Sequence, residues 1–190
     1  ASRGDDSHVQ CANLNSPNQT VISGHDDAVL RAQDLCIDKG AKRAIKLKVS
    51  IASHSKLMLS AANEFQKTLE AVTFNMPDKK IIHNVSVDSS FSSKDIPSLL
   101  VSQLYSPVRW VETCNFISTL NLPIIECGPG KVLSGLFKGN KLNDYFSVAE
   151  EPAVRVQAQT RRSTCPVKAL SHPGHPAGHA RRSRLAAVGR

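Results

Sequence analysis

No run of eighteen apolar residues occurs anywhere in the 190-residue chain, so no membrane-spanning helix is expected. The opening ASRGDDSHVQ carries neither an apolar leader core nor an initiator methionine. A secretory signal is therefore not expected, and the chain reads as starting inside a longer protein. The five cysteines (Cys11, Cys36, Cys114, Cys127 and Cys165) form no CxxC pair and no metal-finger spacing. Such an odd, scattered set fits reduced thiols in a cytoplasmic protein, with no bound metal expected.

Acidic residues are missing from one region. Residues 153–190 hold eight Lys or Arg (Arg155, Arg161, Arg162, Lys168, Arg181, Arg182, Arg184 and Arg190) and no Asp or Glu. Taking these from the 24 basic residues leaves 16, matched by 16 acidic ones, so the net charge of +8 belongs to the tail. A basic tail meets nucleic acid only through salt-sensitive, non-specific contacts, and no specific nucleic-acid partner is expected. From 151 to 190 there is no apolar period, as SHPGHPAGHARRSR illustrates. The stretch reads as a disordered basic extension that does not pack on the body, and its His172, His175 and His179 would hold a metal only weakly.

The body alternates strand and helix signals, which predicts an α/β fold. TVISG (20–24) reads as a short strand, and Asp26 opens a helix with Val29, Leu30, Ala32, Leu35 and Cys36 on one side, closed near Gly40. Ile45, Leu47, Val49 and Ile51 alternate with polar residues, predicting a half-buried strand. A helix over 55–72 follows, with Leu57, Met58, Ala62, Phe65 and Leu69 on its apolar face, and KIIHNVSV (80–87) reads as a strand containing a structural, hydrogen-bonded His83. Helices are expected from Asp95 to Tyr105 and from Pro107 to Leu120, then strands at PIIEC (123–127) and DYFSVAE (144–150) with a helix between them. The GPGK turn at 128–131 lacks the GxxxxGK[ST] pattern of a phosphate loop and reads as a tight turn.

The most pointed stretch is VSIASHSKLM (49–58), where alternation stops at Ser53-His54-Ser55 and a helix begins. Either serine is suited to cap that helix. A histidine at such a junction serves as a cap neighbour, a core residue or a general base, and local sequence leaves these open.

CANLNSPNQTVISG, KGAKRAIKLKVSIASHSKLM, SQLYSPVRWVET and ECGPGKVLSGLFK together resemble the malonyl-CoA:acyl carrier protein transacylases, in the family's order, over roughly residues 9–150. The resemblance implies that residues 1–52 are the later part of a ferredoxin-like small subdomain. Residues 53–150 would be the C-terminal part of a large subdomain resembling an α/β hydrolase. It implies transfer of a malonyl group from malonyl-CoA to the phosphopantetheine thiol of acyl carrier protein, with those two molecules as partners and no resident cofactor. His54 matches the general base of a Ser–His pair, a role that suits an imidazole because it titrates near neutral pH. Gln103, in QLYSP, matches the residue whose backbone carbonyl orients that imidazole. Lys42 and Arg43 match a basic pair resembling a contact for CoA phosphates, and are equally suited to a solvated strand edge. Asn13, Asn15 and Gln19 match polar positions lining the cleft, and are equally suited to a turn. Asn18 stands where the family usually has Gly; Asn tolerates a positive φ, so the turn is expected to survive.

The family's nucleophile lies in GHSxG, yet no GxSxG occurs in these 190 residues. The arginine that clamps the malonyl carboxylate in the family also has no match. The chain therefore reads as the C-terminal half of a transacylase, inactive alone, whose serine and clamp would precede Ala1. The alternatives are a fragment of a polyketide-synthase acyltransferase domain and a non-catalytic remnant that binds CoA or the carrier protein.

Overall fold

Ser16-Pro17-Asn18-Gln19 reverses the chain between two antiparallel strands, β1 (Val9–Ser16) and β2 (Gln19–Gly24). The computed structural model describes residues 7–89, 91–148, 168–169 and 184–189. β1 is the strand that side-chain pattern did not announce, because its register slips between Cys11 and Asn13 and again between Leu14 and Ser16. Such bulges break the two-residue alternation by which a strand is recognised. The turn survives with Asn18 in place of glycine, and it does so without a positive φ there; the Asn18 N–H meets Ser16 Oγ at 3.3 Å. At the far end of the hairpin, a Cβ on Gly24 would lie 2.0 Å from the carbonyl oxygen of His8, so only glycine lets the two strands close there.

Helix α1 (Asp26–Asp38) opens with Asp26 and Asp27 against its positive N-terminus. It ends in Gly40 at φ +93°, where the Gly40 and Ala41 amides donate to the Ile37 and Cys36 carbonyls. That is the left-handed glycine cap the sequence suggested. Its inward face is narrower than expected. Ala28 and Val29 are buried, whereas Leu30 and Leu35 are exposed.

Strand β3 is short (Ala44–Lys46). Leu47 and Val49 beyond it pack on Ala12 and Val21 as their alternation demands, but Ile45 and Ile51 face solvent.

The expectation of an unpacked tail needs correction at two places. Arg184–Gly189 forms a strand, labelled β8, that runs parallel to both β2 and β3 and gives a sheet of order β1-β2-β8-β3. Lys168–Ala169 forms β7, paired with β4 (Ile81–Ile82). Because α1 carries the chain from β2 to β3 without pairing them, a one-strand slot is left, and each bordering strand presents backbone groups that need partners. Ladder bonds are made by the backbone and need no apolar period, which is why the composition of 151–190 was a poor guide. The rest of that tail, with His172, His175 and His179, lies outside the described residues.

The second apolar core belongs to later elements. A turn of 3-10 helix (Lys56–Met58) leads into α2 (Leu59–Glu70), which packs on α3 (Ile96–Tyr105) through Ala62, Phe65, Leu69, Leu100, Val101 and Leu104. α4 (Trp110–Ser118) starts after Pro107 rather than at it. Of the two residues between, Val108 is spent on β1: its N–H donates to Ala12 O, and its carbonyl accepts from Leu14 N–H. β5 (Ile124–Glu126), α5 (Val132–Gly139) and β6 (Tyr145–Ser147) form a parallel strand–helix–strand unit. Phe137 of α5 is buried between Trp110 and Tyr145, with ring centroids 5.6 and 5.7 Å away.

Removing residues 184–190 is expected to open the slot between β2 and β3. Amide exchange in β2 should quicken by roughly tenfold or more, as for a loss of about 1.4 kcal/mol of local stability, and trypsin should cut sooner beside β3. Unchanged exchange and digestion would show that the strand adds nothing to the sheet.

Candidate active site

His54 occupies a backbone corner that non-glycine residues rarely take, with φ +59° and 7% of its surface exposed. Such a left-handed residue costs on the order of 1–3 kcal/mol and persists only where its surroundings hold it. The neighbours do so. Ser55 Oγ donates to Ala52 O at 2.7 Å and accepts from Leu57 N–H at 3.3 Å, so Ser55 caps the turn that opens the following helix. The capping role anticipated for Ser53 or Ser55 therefore falls to Ser55, and His54 is free of it.

Every α-helix leaves its last carbonyls without partners inside the helix. α3 ends at Tyr105, with Ser106 extended and Pro107 next. The His54 ring Nδ1 lies 2.8 Å from Gln103 O, and the His54 backbone N–H donates to Leu104 O at 2.9 Å. Tyr105 O accepts from Gln10 Nε2 at 3.1 Å. A carbonyl only accepts, so Nδ1 carries the proton and, in the neutral ring, Nε2 is the basic nitrogen. Histidine and helix end thus satisfy each other, and the ring is fixed in one tautomer.

The other sequence candidates fall elsewhere. Asn13 and Asn15 lie on β1 and Gln19 at the start of β2; the Asn15 carbonyl accepts from Asn140 Nδ2 at 2.8 Å, which ties the hairpin to the end of α5. Lys42 and Arg43 are exposed just ahead of β3, outside the hydrogen-bonded group around His54. Arg109, in the SPVRW block, pairs with Glu112 and donates to the carbonyls of Val85 and Ser86 at 3.1 and 3.2 Å, so it braces a turn. Gln10 escaped the sequence reading. The carbonyls its amide donates to are 44 and 95 residues away along the chain, and no local signal marks it.

No family model matches the chain. Among curated proteins, malonyl CoA-acyl carrier protein transacylase of Haemophilus influenzae is 46% identical over 131 residues, covering 68% of this chain and 42% of the relative. The Bacillus subtilis protein of the same name is 44% identical over 154 residues, 80% of this chain and 49% of its own length. Among solved structures, an acyl carrier protein S-malonyltransferase from Vibrio cholerae superposes with TM-score 0.76 at 41% identity, covering 80% of this chain and 51% of that one. A malonyl-transacylase solved with a type II PKS acyl-carrier protein superposes with TM-score 0.75 at 37% identity, covering 83% of this chain and 52% of its own. This chain is homologous to half of a malonyl CoA-acyl carrier protein transacylase. It spans about half the length of the curated relatives it matches, and the α/β class read from sequence agrees with the solved transacylases.

In this transacylase relative the GPGK turn has a structural use. The buried Glu126 carboxylate accepts from Leu133 N–H and Ser134 N–H, each at 2.8 Å, and from Ser134 Oγ at 2.6 Å. The anion favoured at that helix N-terminus is the protein's own. Among the described residues the cysteines are unpaired, and burial pushes the Cys114 thiol up to about 12, which leaves it un-ionised and unreactive. Cys165 lies outside the described residues.

His83, read as a hydrogen-bonded structural histidine, is buried; among the described residues its Nε2 has no hydrogen-bond partner, and its ring is T-shaped to that of Phe91 with centroids 4.9 Å apart. Desolvation holds it below its ordinary value of 6.5. The unfolded chain therefore binds this proton first as pH falls, so stability present above 6.5 is lost as pH drops through the folded value. His83→Leu should flatten the fall of the urea midpoint between about pH 7 and 5. A slope identical to that of the parent chain would show that His83 does not titrate in this way.

Proposed function

We propose that this chain carries the general-base half of a malonyl transferase site. The observation that supports it is the His54 ring held by Gln103 O at 2.8 Å with the basic nitrogen turned away from that bond. In the reaction proposed, a serine hydroxyl supplied by residues outside these 190 attacks the thioester carbonyl of malonyl-CoA. His54 Nε2 takes the serine proton as the bond forms and returns it to the departing CoA sulfur. The phosphopantetheine thiol of acyl carrier protein then attacks the acyl-serine ester, with His54 removing the thiol proton and returning it to serine. The imidazolium formed in each half-reaction sits at the C-terminal end of α3, where a cation gains about 0.3–1 kcal/mol from the helix dipole.

The remaining roles belong to the same reading. Residues 1–52 would form the later part of a ferredoxin-like subdomain and 53–150 part of a hydrolase-like one. Lys42 and Arg43, exposed and adjacent, would suit the phosphates of CoA. Asn13, Asn15 and Gln19 would line the approach to the thioester. A cytoplasmic setting is in keeping with cysteines that are unpaired among the described residues. A carrier protein of polyketide synthesis is a second reading of the acceptor, favoured by the solved neighbour captured with such a carrier.

The chain alone, incubated with radiolabelled malonyl-CoA and acyl carrier protein, is expected to transfer no label above a protein-free control. Joined to a segment bearing GHSxG, it should acylate that serine. There His54→Ala should slow acylation by about a hundred- to ten-thousand-fold. Gln103→Ala should be far milder, because alanine keeps the carbonyl. Fast acylation by the His54 variant would contradict the base role, and equal damage from both would contradict the carbonyl role.

A further inference from the structure

We propose that Gln10 is a positioning residue for His54, an inference that rests on His54 being the reacting base. Gln10 sits on β1, yet its side-chain amide reaches both ends of the corner that holds the histidine. Its Nε2 donates to His54 O at 2.8 Å and to Tyr105 O at 3.1 Å, while Oε1 accepts from Lys56 N–H at 3.2 Å. One amide thus bridges the residues on either side of Ser55 and, at the same time, the last carbonyl of α3. His54 in its left-handed backbone and Gln103 in the helix end are clamped as one body.

The amide has one allowed orientation. Two carbonyls can only accept and the Lys56 amide can only donate, so the NH2 must face the carbonyls. His8 Nε2 lies 2.8 Å from the same Oε1, and must therefore donate to it. His8 is fixed in turn: its N–H donates to His25 Nδ1, its carbonyl accepts from His25 N–H, and Gly24 makes room for that carbonyl. The β1–β2 hairpin thereby sets the orientation of an amide that sets the imidazole. The hairpin and the end of α3 meet at the proposed base, and this amide is one of the connections between them.

Gln10→Met keeps the length of the side chain and removes its hydrogen bonds; Gln10→Glu places a carboxylate, which cannot donate, against two carbonyls. The test reads the ring-nitrogen NMR shifts of His54 at a pH where the ring is neutral. The ratio of the Nδ1–H to the Nε2–H tautomer should fall roughly five- to tenfold in Gln10→Met, the effect of losing about one ordinary hydrogen bond. It should fall at least as far in Gln10→Glu, while the α4 amides keep their parent shifts. Parent-like ring shifts in either folded variant would overturn the proposal. Failure of both variants to fold would also overturn it, because Gln10 would then serve the fold rather than the histidine. No substrate enters this test. A shifted tautomer beside an uninjured His54→Ala acylation rate would leave the positioning intact and remove the base role.

Discussion

Three consecutive carbonyls at the end of α3 organise the site. Gln103, Leu104 and Tyr105 present oxygens that the helix itself leaves without donors, and His54 Nδ1, His54 N–H and Gln10 Nε2 meet them in turn. A buried carbonyl left unmet would cost roughly 1–3 kcal/mol. The helix end therefore needs the histidine as much as the histidine needs the helix end. This mutual requirement holds the left-handed backbone at residue 54 in place, and it selects the tautomer whose Nε2 can accept a proton.

Around that junction the packing is arranged to keep the partners still. α3 is held from one side by α2, through Ala62, Leu69 and Val101. From the other side Val108 pairs with β1 by two backbone bonds, only a few residues beyond the helix end. The β1–β2 hairpin reaches the α5 end through Asn15 and Asn140. Displacing the hairpin would consequently disturb the histidine through Gln10.

Much of this was legible in residues 49–58 and 95–107. The serine cap and the helix end at Tyr105 each express a local backbone rule, and the structure keeps them, whereas the strand alternation read up to Ile51 is a ladder only over Ala44–Lys46. Gly40 and the acidic opening of α1 were readable for the same reason. The pairing of His54 with Gln103 came from family resemblance, since nothing in either segment declares a contact across 49 residues. Other features were illegible for physical reasons. Bulges hid β1, an exposed outer face made α1 look more buried than it is, and β8 joined its sheet through backbone bonds that leave no side-chain signature. Gln10 is the clearest case, a polar strand residue whose use depends wholly on what is folded over it.

The central claim is that Gln103 O fixes the proton of a neutral His54 on Nδ1 and leaves Nε2 as the base. The ring-nitrogen NMR shifts of His54 in the unaltered chain, followed upward through its own titration, measure this directly. The expected result is a neutral ring protonated at Nδ1 and basic at Nε2. A neutral ring carrying its proton on Nε2 would contradict the hydrogen bond at 2.8 Å and the proton transfers built on it.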